Sequence, residues 1–397
     1  MRALLKNFSV TYHQFIFFFV HLIILRFIGV SYSGEIAYVA AITGVIAVII
    51  SMRWDIEILV QGIAKEKESF QKGLITILLL TTSILLLSFL VVIIFDLGDY
   101  ELLILSGCFV AINELICSSF FKRGKIYIYS MLRSLPAIFL LILSMYGFTP
   151  VYTWLLSFVF TAIVGLVILN ISFEEIFKGM TRIKISDIGL KEKFFPTLST
   201  VVSALFFVFW VILLKIKAGE EAAGIWANSI RIFNSPLTFM VVAISPFVLS
   251  KVGQSKEISR KIKNYLSFWL FLIPLILITL IIVGFYGEDI FDIFLGSNIQ
   301  VSSYIFLQIL GVGVIQSFIT LSQGIFQSIN KSRFLTFVLL IGQLMGFYLL
   351  IFSKESLLSE FISQIFLISG SCCLILIVGM IYFYSIDKKR KEGNKYD

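Results

Sequence analysis

The chain has 397 residues, 59% hydrophobic and 14% charged, with a mean hydropathy of +1.00. A charged fraction this far below the roughly 25% of a soluble domain excludes a water-soluble globular protein, so the solvent for most of the Leu, Ile, Val and Phe is lipid. The net charge of +8 sits on bases between apolar runs, which points to membrane orientation and away from nucleic-acid binding.

A spanning helix needs about 20 apolar residues. Twelve stretches meet that length and composition: 12–28, 36–64, 74–95, 102–121, 126–145, 151–171, 195–214, 222–249, 262–285, 301–329, 334–352 and 361–384. The first is too long for a signal peptide and lacks a small-residue cleavage site, so none is expected. His13 and His21 both fall in it and support neither a zinc site nor a hydrolase triad.

The second stretch holds the most charge: Arg53, Asp55 and Glu57 lie inside an apolar run with Trp54 between them. A charge at the centre of a spanning helix costs about 2.5–3.5 kcal/mol on the insertion scale and marks a functional candidate. Arg53 and Glu57 are four apart and share a helix face, whereas Asp55 points away from it. Pro136 interrupts the fifth span, Pro236 and Pro246 the eighth and Pro274 the ninth. Two prolines in one helix make the eighth a candidate moving element.

Alternate loops carry the bases, among them Lys65/Lys67, Lys122/Arg123/Lys125 and Lys191/Lys193, and both tails share that side. The opposite loops are short and neutral or acidic, with Lys215, Lys217 and Lys354 as exceptions. The positive-inside rule makes the basic side cytoplasmic and places both termini there. The expected domains are a six-helix lobe over 1–171, an amphipathic cytoplasmic linker over 172–194, a second six-helix lobe over 195–385 and a basic tail over 386–397. The start of span two, Gly34-Glu35-Ile36-Ala37, and that of span eight, Gly224-Ile225-Trp226-Ala227, hint at an internal repeat.

Counting rise from the nearest cytoplasmic base sorts the buried charges into two layers. Glu57, Glu114 and Arg133 are each eight residues from a loop lysine, about 12 Å into the membrane. Spans four and five share a short loop, so Glu114 and Arg133 are placed to pair. The inner layer is then Arg53, Asp55, Glu57, Glu114 and Arg133, with structural ion pairing and gating or ion coupling as alternative roles. Arg26 and Arg231 lie twenty residues from the cytoplasmic bases, about 30 Å away, and Lys215 and Lys217 join them in an outer, wholly basic group. These bases either snorkel to headgroups or line a cavity that favours an anion, with Arg suited to bidentate phosphate contact. No Walker motif, metal cluster or nucleophile–base pair is visible, so neither an enzyme nor a cofactor is expected. Cys108, Cys117, Cys372 and Cys373 all lie in apolar runs without ligand spacing.

Met52-Arg53-Trp54-Asp55-Ile56-Glu57-Ile58-Leu59 and the second-half stretch Ala227-Asn228-Ser229-Ile230-Arg231-Ile232-Phe233-Asn234-Ser235-Pro236-Leu237, with twelve spans and a helical link, resemble the Wzx-type polysaccharide (O-antigen) flippases of the MATE-like MOP exporter superfamily. The resemblance implies an all-α membrane protein of two six-helix lobes around a central cavity lined by spans one, two, seven and eight. It implies alternating-access transport of undecaprenyl-diphosphate-linked oligosaccharide across the bacterial inner membrane. Arg26 and Arg231, joined by Lys215 and Lys217, would then meet the diphosphate, and Asp55, Glu57 and Glu114 are candidate proton carriers. The implied partners are the lipid-linked oligosaccharide, the bilayer and the polysaccharide polymerase machinery. A MATE-type drug/cation antiporter would want carboxylates in the cavity, and the first span offers none. A peptidoglycan-lipid flippase usually has fourteen spans. A non-transporting assembly subunit would use its charges for packing alone.

Overall fold

A computed structural model of the chain describes residues 2–28, 30–61, 63–95, 100–170, 193–202, 204–205, 226, 229–255, 257–295, 303–352 and 358–393. The described residues form helices joined by short turns, with no strand among them. The helices are α1 (Arg2–Phe27), α2 (Val30–Ser51), α3 (Trp54–Val60), α4 (Glu66–Phe95), α5 (Tyr100–Lys122), α6 (Ile126–Met145) and α7 (Pro150–Leu169). After a helical stretch over 193–202 come a π-helical turn (Ile230–Asn234), α8 (Ser235–Gln254), α9 (Ile258–Leu295), α10 (Ser303–Ser328), α11 (Ser332–Phe352) and α12 (Leu358–Gly393). Each of the twelve expected stretches overlaps described helix. Seven of the described helices are long and apolar enough to cross a membrane, or eight if a bent pair counts as one span.

The chain divides into two compact units, Met1–Ala204 and Leu205–Asp397. The expected surface linker lies almost wholly outside the described residues. In the first unit α5 packs against α2, α3, α4, α6 and α7. In the second, α10 packs against α8, the π-turn, α9, α11 and α12. The fourth expected span of each half is thus the one its neighbours assemble around, and these two are the most enclosed of the long apolar helices. Shared packing of this kind is what an internal repeat produces.

The first unit's core joins Val20 and Ile24 of α1, Ile36 and Val39 of α2, Leu103 of α5, Ala137 and Leu140 of α6, and Trp154 and Phe158 of α7. The second unit's core sets Ile232 and Phe233 of the π-turn against Val283, Phe306 and Leu310. The turn's last residue, Asn234, is also buried and donates its side-chain amide to the Ile309 carbonyl at 3.1 Å. It lies flat on α10, where a Cβ at Gly313 would fall 2.0 Å from the Asn234 side chain.

One expectation about an individual span needs correction. Span two is not one helix: it stops at Ser51, turns through Met52 and Arg53, and resumes as α3 at an angle of 62°. Pro236 lies inside the helical run of span eight, as expected, and directly follows the π-turn at Ile230–Asn234, where the helix departs from regular α geometry.

Gly313→Ala will lower stability by about 1–3 kcal/mol, because Asn234 cannot yield without losing its bond to Ile309. Gly44→Ala, in α2 with nothing within 4 Å of its added Cβ, will be neutral or slightly stabilising. Thermal unfolding of the two purified variants in one detergent checks the contrast.

Candidate functional site

The charges of the first unit gather at the end carrying the basic loops, around α3. Met52 (φ 44°) and Arg53 (φ 58°) occupy the left-handed region in succession, although neither is glycine. The turn keeps part of its backbone bonding: Met52 donates to the Val48 carbonyl at 3.2 Å, and the Arg53 N–H to the Ser51 hydroxyl at 3.3 Å. Asp55 and Glu57 then fall in the first turn of α3, where negative charge faces the positive end of the helix dipole. Trp54, Ile56, Ile58 and Leu59 are buried beneath them.

This break rearranges the expected pairing. The i,i+4 rule assumes a continuous helix, and the left-handed Arg53 voids it. Arg53 instead pairs with Asp55 at 3.5 Å, the acid expected to point away. Glu57 receives a proton donor from a residue outside the expected layer: Lys193 Nζ lies 2.9 Å from Glu57 Oε2. The same ammonium sits 3.9 Å from the centre of the Trp54 ring. Gln61 donates to Glu57 and accepts from Ser69, and Lys122 donates to the Leu59 carbonyl at 2.8 Å, closing the C-terminal end of α3. Below this, buried Glu66 accepts from Ser119 and pairs with Arg123 at 3.1 Å.

The Glu114–Arg133 pair forms as depth counting expects: both guanidinium NH₂ groups donate to the two carboxylate oxygens, the bidentate geometry suited to Arg. Tyr129 lies one turn before Arg133, with its ring 5.6 Å from the guanidinium carbon, and His13 of α1 meets that ring edge-on at 5.8 Å.

The outer basic group is described only in part. Arg26 is exposed in the last turn of α1, where a cation complements the helix C-terminus. Arg231 belongs to the π-turn; its side chain lies outside the described residues, as do Lys215 and Lys217. Sequence reasoning missed Lys193, Glu66 and Arg123, placed in loops or the linker, and Gln61, inside the second span. Their polar character was visible, but their partners are set by where α3 folds back.

No protein-family model matches the chain, and no curated protein matches it by sequence. Solved structures do match over nearly the whole length. One is an outward-facing multidrug resistance MATE family transporter of the MOP superfamily: TM-score 0.70, 16% identity, covering 97% of this chain and 96% of that one. Another is a MOP superfamily transporter from Pyrococcus furiosus, described as having a binding pocket of reverse polarity that suggests a different function: TM-score 0.70, 14% identity, covering 97% and 95%. A third is MATE in complex with MaL6: TM-score 0.70, 13% identity, covering 96% and 95%.

Removing one member of the Glu114–Arg133 pair, as in Glu114→Gln, will cost about 2–3 kcal/mol of stability. This is below the range for a fully buried pair, because the two side chains are 32% and 21% exposed. Replacing both with Met will recover most of that loss. Denaturation of the single and double variants reads it out. The chain has the all-helical fold of MOP superfamily transporters.

Proposed function

We propose that this protein is a flippase that moves an undecaprenyl-diphosphate-linked oligosaccharide, the repeat unit of a surface polysaccharide such as O-antigen, across the bacterial inner membrane by alternating access. The observation that carries this reading is the chemistry of α1. The helix contains no Asp or Glu and ends in exposed Arg26. A first helix with bases alone suits an anionic head and offers a cation nothing to bind. Arg231 adds support, since it lies on a π-turn within a helical run, shortly before Pro236. Backbone irregularity within a membrane segment is tolerated where protein or a water-filled cavity covers it. The Pyrococcus furiosus transporter, whose pocket polarity suggested a different function, is a precedent for judging members of this fold by the charge of the pocket.

On this reading Arg26 and Arg231 meet the diphosphate, with Lys215 and Lys217 drawing it in. Asp55, Glu57 and Glu114 act in gating or ion coupling. Arg53, Lys193 and Arg133 hold them as ion pairs, so protonating any of them releases a base. The partners are then the lipid-linked oligosaccharide, the bilayer and the polymerase that consumes the delivered repeat unit.

Arg26→Ala and Arg231→Ala will each reduce translocation of a lipid-diphosphate-linked oligosaccharide in proteoliposomes at least about tenfold, and Arg→Lys at either site will recover part of it. Wild-type rates for both alanine variants at equal protein level would refute the diphosphate assignment. Export of organic cations against a proton or sodium gradient, without movement of the lipid-linked sugar, would establish the drug/cation antiporter instead.

A further inference from the structure

No glycine or proline lies between Val45 and Gln61, so nothing in the local sequence calls for a break. Yet Met52 and Arg53 both take left-handed φ values of 44° and 58°. Each such non-glycine residue disfavours the bent form by about tenfold relative to a continuous helix. Contacts from outside the segment must therefore hold the bend.

Three are visible. Trp54 is seated on α4 where Gly73 leaves room, since a Cβ at Gly73 would come within 2.8 Å of it. Lys122 of α5 closes the Leu59 end at 2.8 Å. Lys193 grips the start of α3 from above, 2.9 Å from Glu57 Oε2 and 3.9 Å from the Trp54 ring centre. Its side chain is 9% exposed. Of the three, Lys193 alone belongs to the chain that runs on towards the second half.

We propose that Lys193 is a positioning residue that holds span two bent through Glu57 and Trp54, and that release of this clasp lets residues 45–60 run as one straight helix. The inference rests on the transporter reading for its role, a switch that couples the position of Lys193 to the shape of span two. Its physical content does not depend on any substrate.

The discriminating observable is backbone exchange. In the bent form the Trp54, Asp55 and Ile56 amides are the first turn of a helix and have no carbonyl four residues back. In a straight helix they gain one. Residue-resolved hydrogen–deuterium exchange on the full chain in nanodiscs will show these amides slowing about tenfold in Lys193→Met. Lys193→Arg, which keeps the charge and the aromatic contact, will keep the wild-type pattern. Adding Met52→Gly to Lys193→Met will return exchange to the wild-type rate, because glycine occupies the left-handed region without penalty and weakens the straight helix. Unchanged or faster exchange in Lys193→Met, or no reversal by Met52→Gly, overturns the proposal. Absence of lipid-linked oligosaccharide transport by the wild type, measured separately, would remove the flippase reading and leave these exchange results standing.

Discussion

Backbone polar groups have no water to turn to inside a bilayer, and that constraint shapes the first unit around Met52 and Arg53. A helix that stops there strands donors on one side of the break and acceptors on the other. The protein answers with charge at both ends of the short α3: Asp55 and Glu57 at its start and Lys122 on the Leu59 carbonyl at its finish. The bases of the flanking loops are therefore not only markers of orientation. Lys122 and Arg123, adjacent at the C-terminal end of α5, reach back to α3 and to Glu66 at the start of α4. The second unit staples its corresponding end in the same manner. Asp387 of α12 accepts from the Ser259 N–H at the start of α9 at 2.9 Å, and Lys261 donates to the Ser328 carbonyl at the end of α10 at 2.8 Å.

Much of this architecture was legible in the sequence because it depends on one-dimensional quantities. Apolar length marks helices, and rise per residue sets depth. The Glu114–Arg133 pair followed from depth and one short loop, with no knowledge of the fold. What could not be read depends on packing. The bend at Met52 has no glycine or proline to announce it, so span two looked continuous from 36 to 64. A continuous helix would set Arg53 beside Glu57 by spacing, while the folded chain gives it Asp55 at 3.5 Å. Lys193 belonged to an amphipathic, basic stretch whose composition suits a membrane surface. Its burial against Trp54 comes from a contact 139 positions away in the chain, a separation no local pattern encodes.

The π-turn at Ile230–Asn234 shows the same limit from the other half. Pro236 marks the interruption in the sequence, but the extra residue per turn lies just upstream of it, among residues with no such mark. Its consequence is structural: Ile232, Phe233 and Asn234 are buried in succession against α10, three neighbours that a regular helix would spread over more than half its circumference. The residue that shares this turn, Arg231, is the one that depth counting had placed in the outer basic group for an unrelated reason.

The pairing of charge in the first unit bears on how an ion could act there. Asp55, Glu57, Glu66 and Glu114 each have a basic partner, Arg53, Lys193, Arg123 and Arg133 in turn. A cation entering at any of them must displace a lysine or arginine already in place, at the cost of the existing ion pair. A proton faces the same competition, but it leaves behind a neutral acid and an unpaired base. Loss of the Glu57 charge would remove the ion pair with Lys193, the contact proposed above to hold α3 at its angle. On that proposal, coupling through these acids would have a mechanical route that needs no dedicated ion cage, since the event that neutralises the carboxylate would also loosen the contact holding the helix bent.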